Sequence, residues 1–393
     1  MKGRHQPLLR RRDGHGARVT SEELFFDLVY AFAVTQLSHL LLHRLDWLGA
    51  LDTLILWFAM WLGWQYVCWI TNWFDPETPK VRGMLFAVMP LTLVIAAALP
   101  EAFGERGLIF ALAYGAMQVG CAGWSLWDLR GGHPLRMNYL RIFLWMVIAA
   151  CFWIAGGLAE PMMRRALWVG GVACIYISPM LGFWLPGLGR SVTSDWTIDG
   201  GHLAERCQCF VIVALGEAVL ATGGGFAEAE HWPWVLVGAL AVTFMTTLTL
   251  WWLYFGTSSR AATAKIEHAE DPGAIGAQFH YVHALLVGGI VAAAVGHDLV
   301  IEHPLEHTQW RDLLALGAGP GLYLLGSTLY KRVVYGHWPL SHLVGLAVLV
   351  LGLPLGLGQS RLMVEGALGA VLLGTAWREY VVRGRRREKA SHQ

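Results

Sequence analysis

The chain has 393 residues, of which 55% are hydrophobic and only 15% charged, with a formal net charge of +1. Soluble domains carry about 25% charged residues, so the deficit excludes an ordinary water-surrounded globule and points to a lipid bilayer as solvent. The balanced charge gives no argument for nucleic acid or an acidic partner.

The opening segment MKGRHQPLLRRRDGHGARV is basic and has no apolar run before the first long hydrophobic stretch, so no cleavable signal peptide is expected. Residues 1–21 read as a basic cytoplasmic segment. Crossing the hydrocarbon core takes about 20 apolar residues. Twelve stretches qualify: 22–43, 47–73, 81–99, 106–127, 137–158, 164–187, 201–222, 232–255, 278–300, 310–334, 338–357 and 361–380. Turn signals separate them, among them Asp75-Pro76, Gly131-Gly132, Gly223-Gly224-Gly225 and Asp271-Pro272. No alternating period suggests barrel strands, so the spans are expected to be α-helices.

The first span carries Glu23 and Asp27 one turn apart, and Ser38 returns to the same face three turns later. In the second, Trp57, Trp61 and Trp64 form a stripe that reads as packing, joined by Gln65 and Tyr66. Tyr114 and Gln118 share a face of the fourth and could line a polar path. The seventh carries His202, Glu205, Arg206 and Glu217. At an offset of 179 residues His202 matches Glu23, Arg206 matches Asp27, and Glu217 matches Ser38.

The ninth span begins QFHYVH and ends in His297-Asp298, followed by Glu302, His303, Glu306 and His307. Histidine and carboxylate at short spacing can bind zinc. Pro304 breaks the helical spacing of His303 and His307, so a solvated acidic loop is the favoured reading, without a metal. His280 and His283 are expected to pair with carboxylates or carbonyls, and His39 and His342 are read the same way. All six cysteines sit in apolar stretches. Cys207 and Cys209 point to nearly opposite sides of a helix, so reduced packing residues are expected rather than a disulfide or a shared metal.

Charge inside a bilayer costs roughly 2.5–3.5 kcal/mol on insertion scales. Mutual pairing is one of the few ways it is tolerated, so Asp27 is expected to meet Arg206 and Glu23 to meet His202, where the first and seventh spans face each other between the two halves. A helix N-terminus would by itself account for Glu22 and Glu23, and less readily for Asp27. Glu217 has no Lys or Arg within one turn. It is either a proton- or cation-binding carboxylate or a hydrogen-bonded carboxyl holding helices together.

With both termini cytoplasmic, 22 of the 29 Lys and Arg residues lie on the cytoplasmic side, in accord with the positive-inside rule. Arg164-Arg165 is the dissent. The expected fold is all-α: a polytopic membrane protein of about twelve transmembrane helices in two parallel six-helix repeats, 22–187 and 201–380. A loop at 188–200 connects them, and 381–393 form a basic cytoplasmic tail. No nucleophile elbow, phosphate loop or zinc-protease motif is present, which argues against an enzyme and implies no cofactor. The expected partners are the lipid bilayer and a small ion or solute carried between the halves. The alternative is a non-transporting assembly or sensing factor whose buried charges are structural.

The blocks SEELFFDLVYAFAVTQLSHLL (21–41), TNWFDPE (71–77), HLAERCQCFVIVALGEAVLATG (202–223) and WWLYF (251–255) resemble the bacterial low temperature requirement A (LtrA) family. The resemblance implies a multi-pass bacterial inner-membrane protein named for a growth phenotype in the cold, and it brings no catalytic residue. Its matching polar positions are Glu23, Asp27, His202, Glu205, Arg206 and Glu217. Phe25-Phe26-Asp27 followed by VYAFAVT is also similar to the opening F-S-D helix of the proton-gated and lysosomal potassium channels. Here Phe26 replaces the serine and Ser21 the upstream arginine, and the seventh span lacks the motif. The doubled six-helix plan resembles major-facilitator transporters as well, without their long central loop.

Overall fold

The computed structural model describes residues 8–10, 17–130, 133–192, 195–196, 198–256, 259–267 and 269–391, without the side chains of 259–260 and 383–391. Among these residues the chain forms thirteen α-helices and no strand, only isolated bridges such as Leu9 with Phe74. The predicted turn at Gly131-Gly132, and Lys2, Arg4, Arg11 and Arg12 of the charge count, lie outside the described residues. So do the side chains of Arg260, Arg383, Arg385, Arg386, Arg387 and Lys389.

The helices are α1 (Ser21–His43), α2 (Trp47–Trp73), α3 (Pro79–Ala98), α4 (Gly107–Asp128), α5 (Arg136–Leu158), α6 (Pro161–Met180), α7 (Gly200–Glu228), α8 (Trp234–Phe255), α9 (Ser259–Glu267), α10 (Pro272–Glu302), α11 (Trp310–Tyr335), α12 (Leu340–Gly352) and α13 (Arg361–Ser391). Nine of them are long and apolar enough to cross a membrane: α1, α2, α3 with the 3-10 turn that follows it, α4, α5, α7, α8, α10 and α11. Helices also stand at the remaining predicted spans. There α6 and α13 carry paired charges, Arg164-Arg165 and Arg378-Glu379, while α12 has only 13 residues before a 3-10 turn at Leu353–Gly356.

Local chemistry sets several boundaries. Thr20 and Glu23 form a capping box at the start of α1: the Thr20 N–H donates to Glu23 Oε2 at 2.9 Å, and Thr20 Oγ1 faces the Glu23 N–H at 3.4 Å. Pro79 and Pro161 occupy the first turns of α3 and α6, where their missing N–H has no helical partner to lose. Gln309 and Asp312 cap α11, which ends at left-handed Gly336 (φ 75°).

Two sequence expectations are corrected. The sixth span stops at Met180 rather than 187, because Pro179 withholds a donor and the chain turns back through Gly182 and Phe183, both at positive φ. Gly223-Gly224-Gly225 is no turn, since α7 runs through it to Glu228. A Cβ on Gly225 would lie 2.8 Å from Ile301 Cγ2, so a glycine there lets α7 and α10 approach closely. Helix α13 runs on to Ser391.

The chain divides into two compact units. Unit 1 comprises residues 1–40, 47–209 and 266–276; unit 2 comprises 41–46, 210–265 and 277–393. In unit 1, α4 packs along α3 and α5, α5 along α6, and α2 along α6. Its core holds a cluster of rings from Phe110, Tyr114, Trp153 and Trp168, with the Tyr114 and Trp153 centroids 5.1 Å apart. In unit 2, α13 packs against α8, α11 and α12. Large apolar side chains such as Leu28, Trp47, Trp234 and Leu351 are exposed. On long apolar helices that is the signature of a lipid-facing surface.

Arg164 and Arg165 explain their own dissent from the charge bias. Arg164 is buried and donates to main-chain carbonyls of Ala102, Gly104, Gly156, Gly157 and Ala159, tying the α3–α4 connection to the α5–α6 turn. Arg165 forms a two-pronged bond with buried Asp52 of α2, at 2.6 and 2.9 Å. Their charges serve packing, not orientation.

Candidate functional site

Unit 1 gathers the polar residues of α1 and the first turns of α7 into one buried cluster. Glu23, Asp27, His202 and Arg206 are all 0% exposed. Each lies one turn from its neighbour on the same helix, so each helix presents two ionisable groups on one face. The pairing across the helices is direct. Arg206 Nη2 donates to Asp27 Oδ1 at 2.6 Å, and Arg206 Nη1 stands 3.0 Å from Glu23 Oε1. The same Glu23 oxygen lies 2.9 Å from His202 Nε2.

Glu23 divides its work between its two oxygens. Oε1 receives His202 and Arg206, whereas Oε2 accepts from the Thr20 backbone and hydroxyl and from Arg10 Nη2 at 2.9 Å. The carboxylate that caps α1 is therefore also the hub of the ion-pair network. Both readings of Glu23 available from the sequence, helix cap and charge partner, apply at once.

The neighbours of His202 fix its ring in place. The Asp199 N–H donates to Asn72 Oδ1, and Asn72 Nδ2 donates to the Asp199 carbonyl, so the orientation of the Asn72 amide is fixed. Asn72 Nδ2 also lies 3.0 Å from His202 Nδ1. On the other side of the ring, Nε2 faces Glu23 Oε1 at 2.9 Å and Arg10 Nη2 at 3.2 Å. Around this imidazole the cluster sets two carboxylates, Glu23 and Asp27, against two guanidiniums, Arg10 and Arg206.

Sequence reasoning missed several participants. Trp64, read as packing, donates its indole N–H to Asp27 Oδ1 at 2.7 Å, and its ring lies under the Arg206 guanidinium. Arg10 reaches in from the N-terminal segment, anchored by the Thr71 carbonyl at 2.7 Å. Thr71 Oγ1 faces Arg206, and Asn72 orients His202. Thr71 and Asn72 open the TNWFDPE block, the one signal that could have singled them out. Within the cluster, Asp27 Oδ2 and Arg206 Nε are buried without a hydrogen-bond partner among the described protein groups.

The other candidates lie elsewhere. Glu205 Oε2 accepts from the Val19 N–H at 3.1 Å, holding the chain that leads into α1. Ser38 is buried and donates to the Thr35 carbonyl of its own helix. Glu217 belongs to unit 2, is buried, and interacts electrostatically with Asp298 of α10. His283 bonds the Phe279 carbonyl and the Tyr254 hydroxyl, and Gln118 donates to Tyr114. The segment that follows α10 is held in part: Glu306 pairs with Arg361 at 2.9 Å, and His307 with the Gly358 carbonyl. All six cysteines are unbridged. Among the described residues, no group of three or more His, Cys, Asp and Glu side chains is arranged to hold a metal ion.

The sequence model of the bacterial low temperature requirement A protein (LtrA) matches residues 18–377. An uncharacterized protein of Rhizobium meliloti (strain 1021) is 37% identical over 386 residues, which cover 97% of this chain and 93% of the relative. No solved structure matches the chain.

Proposed function

The chain belongs to the bacterial low temperature requirement A (LtrA) family, and we propose that it moves a small ion or solute across the bacterial inner membrane. One observation carries the reading. The Asp27–Arg206 pair, enclosed by apolar helices, keeps an acceptor and a donor that no described protein group reaches. Buried polar atoms are usually bonded, so an unused acceptor and donor within one buried ion pair leave a place for a passing ion or solute to bind.

The residues proposed for the role are Glu23, Asp27, His202 and Arg206 of unit 1 and Glu217 of unit 2, with both termini cytoplasmic as the Lys and Arg distribution favours. Two parallel six-helix repeats giving twelve crossings are part of the proposal. Matched tyrosines support it: Tyr114 of α4 donates to the Ala59 carbonyl of α2, and Tyr323 of α11 donates to the Leu250 carbonyl of α8. No enzymatic role is assigned.

The second reading is a non-transporting assembly or sensing factor in which the cluster locks helices together. The charge balance of Glu23 and Asp27 against Arg10 and Arg206 favours it. Reconstitution in liposomes under ion and pH gradients separates the two, comparing the parent with Asp27→Asn and Glu217→Gln. Transport predicts gradient-driven flux that falls at least tenfold in Asp27→Asn. Absence of flux under every gradient, or flux untouched by both substitutions, favours the lock.

A further inference from the structure

A second group of ionisable side chains lies wholly within unit 2, on α7, α10 and α13. His297 of α10 and Glu365 of α13 are 1% and 2% exposed. Nε2 of the imidazole faces Oε1 of the carboxyl at 3.4 Å. Neither atom has a hydrogen-bond partner among the described residues. Two ionisable groups set face to face in an apolar interior, with their bonding atoms unused, make a place for one shared hydrogen ion. Nδ1 of His297 lies 3.4 Å from Thr222 Oγ1. A hydroxyl can donate or accept, so that side of the ring keeps its partner in either protonation state.

Along α10, Glu302 is exposed, Asp298 one turn before it is half-buried, and His297, the chain neighbour of Asp298, is buried. Glu217 of α7 and Glu302 both act electrostatically on Asp298. The nearest cation on α13, Arg361, is engaged by Asp312 of α11, by Glu306 and by the Leu299 carbonyl, so it does not neutralise these acids.

We infer that His297 and Glu365 form a proton-binding site. On loading, one proton from water is taken up and shared between the imidazole and the carboxyl. On unloading it returns to water, so no other reactant is needed. The ligand is a proton and not a metal ion, because these residues are not arranged as a chelate. The site deepens the transport reading and rests on it for one consequence only: that the proton is the moved or coupling ion.

Two measurements on the full chain test the site and the transport reading separately. Infrared difference spectra of the protein in lipid nanodiscs, taken between acidic and alkaline buffer, should show a carboxylic-acid band. That band should disappear in Glu365→Gln and shift in His297→Gln. Glu365→Asp keeps the carboxyl and is the second variant: its band should persist at a changed frequency, so the test survives if Glu365→Gln does not fold. A band identical in all these variants overturns the site. Proton entry into dye-loaded liposomes after a pH jump is the other arm. A tenfold slower entry in Glu365→Gln supports the site together with transport. Loss of the band without any flux in the parent supports the site and removes transport.

Discussion

The pairing of Asp27 with Arg206 makes a quantitative prediction. Both side chains are fully buried and their charged atoms are 2.6 Å apart. Asp27→Asn keeps a carbonyl oxygen for the Trp64 N–H but leaves the cluster with one uncompensated positive charge. Arg206→Met takes the guanidinium from Asp27 and leaves Glu23 with Arg10. Removing one member of a buried pair typically costs about 3–5 kcal/mol, because the other charge stays buried and unpaired. Arg206→Met should sit at the upper end of that range, since it strips contacts from two carboxylates rather than one. The double variant is neutral again, so its loss should fall short of the sum of the single losses by roughly 2–3 kcal/mol. Equilibrium unfolding of the full chain in mixed micelles, with circular dichroism as the signal, measures all three. Additive losses would refute the ion-pair account and leave the two residues as independent packing groups.

Three further outcomes follow from individual contacts. Trp64→Phe removes the indole N–H from Asp27 while keeping most of the ring volume, and should cost about 1.5–3 kcal/mol in the same unfolding assay, as hydrogen bonds to charged groups do. Arg164→Met withdraws a donor from five main-chain carbonyls; the Gly156 carbonyl keeps the Ala159 N–H and Gly104 is exposed, but at about 1–3 kcal/mol for each buried group left unsatisfied the loss should still exceed that in Trp64→Phe, and comparable losses would argue that the carbonyl cage is idle. Gly225→Ala should destabilise by about 1–3 kcal/mol through collision with Ile301. Truncating buried Ile301 to Ala has its own cost, but it removes the collision, so the double variant should lose less than the sum of the two single losses. Additive losses would place the strain elsewhere.

The balance of charge against apolar length determined, from the sequence alone, that lipid surrounds this chain and that its backbone must be helical. A long apolar run announces its own helix, because hydrocarbon leaves the backbone no other hydrogen-bonding partner. The offset between Glu23 and Asp27 and between His202 and Arg206 also announced which groups should meet, since helical periodicity puts each pair on one face. The limits of local reading show at particular residues. Gly223-Gly224-Gly225 spells a turn by composition, yet α7 runs through it, and the glycine at 225 answers the close approach of Ile301 instead. Trp64 sits in an ordinary aromatic stripe, and only Asp27 beside it makes its N–H matter. Arg10, Asn72 and Asp199 are unremarkable in sequence because their roles come from groups distant along the chain: Glu23, His202 and one another. The facing of His297 and Glu365 likewise joins α10 to α13 across a separation no sequence period encodes. Periodicity reports which side of a helix is polar, whereas the identity of the partner on the next helix is fixed only when the chain packs.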